Sequence, residues 1–123
     1  MSKVSFEGIG EIIATFAADS SVKEGQVVKT DGDGKVKSCS AADRICGVVT
    51  HVKDGYAAVQ IGGVGTLPYS GSGVAAGWVK LVADGTGGVR VAAAANGNTA
   101  AEDSREYLVL SVDTAGKLAA VLL

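Results

Sequence analysis

The chain has 123 residues, enough for one domain with a modest core. Apolar residues make up 47% of it but aromatics only 5%, so the core must be built from Val, Ala, Leu and Ile. A net charge of −2 with no basic stripe argues against nucleic-acid binding, and a single Pro among 18 Gly with no strict period excludes a proline-rich linker or a collagen repeat.

In chain order, residues 1–10 read as a weakly patterned arm. Lys3 is the only base before Glu7, and the apolar run at 12–18 is short and interrupted by Thr15. The expectation is therefore neither a secretory signal nor a membrane span, and a soluble product made in the cytosol. Residues 11–18 are the first expected strand, broken by Asp19-Ser20-Ser21. Val22-Lys23-Glu24-Gly25 feeds a strand at 26–30, Asp31-Gly32-Asp33-Gly34 is a hairpin turn, and 35–38 is the returning strand. Residues 47–53 and 56–61 pair across Asp54-Gly55. Gly62-Gly63 marks a bulge or bend before a strand at 64–69, and residues 70–77 are a loop.

The C-terminal third carries the clearest signal. Residues 78–83 and 89–91 flank Asp84-Gly85-Thr86-Gly87-Gly88, and 107–112 and 117–123 flank Asp113-Thr114-Ala115-Gly116. Short β-rich runs joined by Asp/Gly turns predict hairpins. The expected fold is all-β, a small β-barrel or β-sandwich of nine or ten short antiparallel strands with an extended N-terminal arm. Residues 1–19 would hold the arm and first strand, and 20–123 the β domain. Helix is expected, if anywhere, only at 40–44 or in the stretch 98–106, where Asn98 or Thr99 could cap it.

Several strands are apolar on both faces. Val79, Leu81 and Ala83 lie opposite Trp78 and Val82, Leu108, Leu110 and Val112 lie opposite Tyr107 and Val109, and Val121 shares a face with Ala119 and Leu123. A barrel has one inside, so the second apolar face should meet another copy or a larger assembly. Trp78, Val82, Tyr107, Val109 and Val121 are the candidate interface residues. Trp78 is read either as core filler or as an interface anchor.

No catalytic, cofactor or metal site is expected. His51 is the only histidine, and Cys39 and Cys46 have no zinc spacing; both are expected to be thiols. Asp31-Gly32-Asp33-Gly34 begins like a calcium loop, but Val36 and Ala42 stand where that loop needs Gly and Glu. Gly62-Gly63-Val64-Gly65 and Gly85-Thr86-Gly87-Gly88 lack the Lys-Ser/Thr or helix of a phosphate cradle. Ser70-Gly71-Ser72-Gly73 is not a nucleophile elbow. Glu102, Asp103, Arg105 and Glu106 read as a solvated charge cluster.

Gly25-Gln26-Val27-Val28 with Gly34-Lys35-Val36, then Asp43-Arg44-Ile45-Cys46-Gly47-Val48, then Gly77-Trp78-Val79 to Gly88-Val89 and Glu106-Tyr107-Leu108-Val109 to Leu123, together resemble small phage and prophage virion proteins. That group includes capsid decoration, or cement, proteins. The resemblance covers about residues 20–123 and leaves residues 1–19 unmatched. It implies a compact β-barrel or sandwich, no enzyme activity and no catalytic residues. It also implies a homotrimer on the outer capsid surface, with the major capsid protein as partner. The alternatives are another phage structural subunit, of tail or fibre, and a lipoyl-like carrier module using Lys53 beside Asp54-Gly55.

Overall fold

Strands form where the β-rich runs lie between Asp/Gly turns. In the computed structural model, which describes residues 9–95, 97, 101–102 and 104–123, there are ten: β1 (Ile12–Ala18), β2 (Val27–Thr30), β3 (Lys35–Ser38), β4 (Gly47–Lys53), β5 (Tyr56–Gly62), β6 (Val64–Pro68), β7 (Gly77–Ala83), β8 (Val89–Val91), β9 (Arg105–Asp113) and β10 (Leu118–Leu122). The turns follow their residue chemistry. Asp54 and Gly55 have φ of 53° and 81°, the two left-handed residues that a two-residue type I′ turn requires. At the β9–β10 turn the left-handed residue is Lys117 rather than Gly116, because Asp113 Oδ1 accepts the N–H groups of Ala115 and Gly116 and shapes the turn itself.

The first five strands close into a barrel in the order β1-β3-β2-β4-β5, with β1 and β3 parallel and the other pairs antiparallel. The last five make an antiparallel sheet in the order β6-β10-β9-β7-β8. A parallel bridge between Tyr69 and Val89 brings the two edges of that sheet together at one point. The fold is thus all-β, as the turn spacing predicts, and the described residues contain no helix.

β5 runs into β6 through Gly63 alone. Its φ is 76°, and a Cβ there would stand 2.3 Å from the Gly10 carbonyl oxygen and 2.6 Å from that of Ile9. The buried Gln60 holds the bend: its Nε2 donates to the carbonyls of Gly62 and Val64, both at 3.0 Å. The expected bend at Gly62-Gly63 is therefore the passage from barrel to sheet.

Two cores result. Val22, Val28, Val36, Val49, Ala57 and Val59 fill the barrel. A second cluster contains Leu67, Leu81, Val89, Tyr107, Val109 and Val121 from the sheet, together with Val27 and Val48 from the barrel. Adjacent residues of one strand, Val27 and Val28 or Val48 and Val49, thus enter different cores. For β2 and β4 the second apolar face meets the protein's own sheet, not another molecule.

Three expectations change. The split after residue 19 is not a boundary, since β1 pairs with both β3 and β5 and closes the barrel. Residues 40–44 form a turn with Ala42 at φ 70°, not a helix. Within the stretch 98–106, Arg105 and Glu106 belong to β9, while residues 98–100 and 103 lie outside the described residues. Residues 1–8 of the expected arm also lie outside them, whereas the Ile9 carbonyl accepts the Val64 N–H at 2.9 Å.

Gly63→Ala should lower stability by about 2 kcal/mol or more, through a backbone clash added to a strained φ. Gly32→Ala, with a positive φ but open space around it, should cost only about 1 kcal/mol. Urea unfolding of the two variants measures the difference.

Candidate interaction surface

Side chains alternate across a strand, so register decides which residues share a face. Trp78 stands opposite Leu108 across β7 and β9, and Leu108 stands opposite Leu122 across β9 and β10. The three form one row on the outer face of the sheet, about 10 Å from end to end at normal strand spacing. Trp78 is 66% exposed and Leu122 40%, with Leu108 half-buried between them. Leu118 is exposed four residues away along β10, on the same parity as Leu122. Beside the row, Lys80 and Glu106 oppose each other on the same face.

Of the five expected interface residues, only Trp78 is at the surface. Val82, Tyr107, Val109 and Val121 are buried in the protein's own core, the first and last with no exposure at all. Tyr107, Val109 and Val121 have inward parity. Val82 shares the parity of Trp78 but lies where Ala83 exchanges backbone hydrogen bonds with Ala42 and Asp43, a loop running beside the end of β7. Sequence reasoning missed Leu108 and Leu122. The signal was present in Glu106, whose charge marks the outward parity that Leu108 shares. A bulge at Leu110 then reverses the parity, so Val112 packs inward and Ser111 and Asp113 point out.

A second exposed apolar group lies on the barrel. Ile12, at 58% exposure, and Ile13 open β1 and, as strand neighbours, face opposite ways; Ile61 is the extra residue of the β5 bulge opposite them, and Ile9 precedes them in the chain.

His51 is exposed, with Nδ1 3.2 Å from Glu24 Oε2, which also accepts the Val52 N–H. Cys39 and Cys46 are half-buried free thiols. Burial, then the negative charge of Asp43, pushes the Cys39 thiol up to about 12. Asp31 pairs with Lys37 at 3.3 Å and accepts no ligand set around it. Among the described residues, no group of three or more His, Cys, Asp or Glu is placed to hold a metal ion, and no helix is long and apolar enough to cross a membrane. Ser70 Oγ donates to Asp84 Oδ2 at 2.8 Å, and Asp84 Oδ1 accepts from Thr86 and Gly88. Burial alone would raise the Asp84 carboxyl, but these donors outweigh it and hold it below the usual range. Lys53 lies within β4 opposite Tyr56, one residue before the Asp54-Gly55 tip rather than on it. A recess of about 300 Å³ beside β1 and β3 is lined by Ala17, Ala18, Asp19, Asp31, Lys35 and Val36, without a histidine, thiol or hydroxyl nucleophile.

Of the expected charge cluster, Arg105 and Glu106 lie on β9, Asp103 lies outside the described residues, and only Glu102 enters a clamp, with a residue from outside the cluster. Arg90 on β8 binds Glu102 through two parallel bonds of 2.6 and 2.8 Å, and Glu102 Oε1 also accepts the Ala93 N–H at 2.7 Å. Compared with protein-family models the chain matches none, and a search of curated proteins returns no relative.

The Arg90 guanidinium, then the Ala93 N–H, lowers the Glu102 carboxyl from 4.5 to about 2. A carboxyl depressed by folding stabilises fully above its unfolded value and loses that contribution as pH falls toward the folded one. The stability difference between the protein and its Glu102→Gln variant should therefore shrink between about pH 4.5 and about pH 2. Denaturant unfolding across that range checks it. A thiol reagent at neutral pH should label native Cys39 far more slowly than the unfolded chain, because only the thiolate reacts.

Proposed function

We propose that the protein is a structural virion subunit that attaches to the outer surface of a phage capsid and stabilises the shell. The observation that carries this reading is the exposed apolar row of Trp78, Leu108 and Leu122 on the sheet, with further exposed apolar residues, Ile12, Ile13 and Ile61, where β1 begins against β5. A subunit that attaches to a shell needs a contact surface, and exposed apolar patches mark such contacts. The resemblance of residues 20–123 to decoration proteins supplies the shell as partner. In this reading the major capsid protein is the principal partner, the working location is the capsid surface, and the protein performs no chemistry of its own. Stabilisation follows from mass action: a ligand that binds only the assembled shell stabilises it by about 2.7 kcal/mol per site at a hundredfold excess over Kd.

A tail or fibre subunit would share this surface but would leave capsids undecorated. The lipoyl-like reading is disfavoured by Lys53, which sits off the hairpin tip.

Purified protein added to empty capsids should decorate them in negative stain and raise their melting temperature. Ile12→Asp with Ile13→Asp should weaken attachment by about tenfold or more, as expected when an interface loses apolar anchors. Bare capsids with unchanged melting would defeat the proposal.

A further inference from the structure

We infer that the free edge of β6, at Thr66, is a strand-docking site whose occupant is the chain's own segment before Ile9, added antiparallel with Glu7 opposite Thr66. That segment lies outside the described residues, whereas the edge and the approach of the chain to it lie within them. The contact is separate from the one proposed with the shell and does not depend on it.

The second sheet ends in two edge strands, β6 and β8. An unpaired edge recruits foreign strands, so proteins cover it. On β8 the Val89 carbonyl accepts the Ser70 N–H at 2.9 Å. On β6 the backbone groups alternate between the two sides of the strand. The Gly63 carbonyl accepts from Leu123 and the Tyr69 N–H donates to Lys117, so Gly63, Gly65, Leu67 and Tyr69 turn toward β10. Val64, Thr66 and Pro68 therefore turn to the free side. The Val64 N–H donates to the Ile9 carbonyl at 2.9 Å, and the Val64 carbonyl accepts from Gln60. Pro68 has no N–H to offer. Thr66 keeps both its backbone groups on this side, with no backbone partner among the described residues.

The chain before β1 already runs along this edge. Ile12 stands opposite Gly62, Gly10 lies against Gly63, and Ile9 bonds Val64. Residue numbers fall on one side as they rise on the other, which is an antiparallel approach. Hydrogen-bonded positions recur every two residues, so the next after Ile9 and Val64 is Glu7 with Thr66. There each residue's N–H would meet the other's carbonyl. One step further Ser5 would meet Pro68, whose missing N–H ends the ladder. Eight residues precede Ile9, more than this stretch of edge requires. Val4-Ser5-Phe6-Glu7 alternates apolar with polar, the period of a half-buried strand. Val64 points the same way. It shares the outer face with Leu122 and has a paired strand on one side only, yet it is 6% exposed against 40% for Leu122. The chain arriving at Ile9 lies against it.

Amide hydrogen exchange reads the pairing, since a strand N–H exchanges when its hydrogen bond opens. In the full chain the Thr66 amide should be protected. Deleting residues 1–8 should speed its exchange by about tenfold or more, while the Leu67 amide, turned toward β10, stays protected. Two point variants keep the test valid if the truncated chain misfolds. Glu7→Pro removes the N–H that faces the Thr66 carbonyl and should free the Thr66 amide as the deletion does. Phe6→Pro removes an N–H that faces away from β6 in this register and should leave Thr66 protected. A Thr66 amide that exchanges as fast in the full chain as in Glu7→Pro overturns the inference. So do equal effects of the two prolines. So does protection that disappears on dilution, because another copy would then supply the strand. Undecorated capsids together with a protected Thr66 would overturn the virion role and leave this pairing standing.

Discussion

The bend at Gly62-Gly63 is the constraint on which the molecule depends. β5 and β6 are nearly one continuous strand, interrupted by a single residue with φ 76°. On one side of it the chain closes a barrel; on the other it becomes the edge of a second sheet. The Ile9 and Gly10 backbone lies so near Gly63 that no side chain fits between them. Gln60 supplies the remaining restraint. A buried amide must find partners, and the two carbonyls that this one reaches flank the bend. The geometry of the junction is therefore set by one missing Cβ and two hydrogen bonds.

Packing of both halves follows from that junction. Val27 and Val48 point from the barrel into the sheet's core, while their neighbours Val28 and Val49 point into the barrel's own. Small β-branched side chains suit this arrangement, since a strand shared between two cores has little depth on either side. The low aromatic content is consistent with it: among the described residues, Tyr107 and Tyr69 are the only aromatics in the buried core, and each has a cation near its ring, Arg105 at 4.4 Å and Lys117 at 5.4 Å. Trp78 takes no part in the core and stands on the outer face.

Surface chemistry divides along the same line. Carboxylates at Asp84, Asp113 and Glu102 cap turns and clamp loops, each bound to backbone N–H groups. They shape the ends of strands, and the exposed apolar residues occupy strand faces instead. A structural subunit fits this division: its turns are held by its own polar groups, and its faces remain available for contact.

Much of the fold was legible in the sequence, and the reason is local. Asp-Gly turns and β-branched runs act over four to eight residues, so all ten strands, the Asp54-Gly55 turn and the Gly62-Gly63 bend could be read directly. The candidate surface was legible only at Trp78. Val82, Tyr107, Val109 and Val121 were misplaced because parity counted along one strand does not say which parity faces the core. That choice rests on pairing between strands distant in sequence, Trp78 with Leu108 and Leu108 with Leu122, and on the bulge at Leu110 that reverses the count. Only the tertiary structure decided that the second apolar face of β2 and β4 enters an internal core, whereas that of β7, β9 and β10 stays at the surface. The sequence alone determined that the chain would be all-β, with its turns where they are, because turn chemistry needs no partner from elsewhere in the chain.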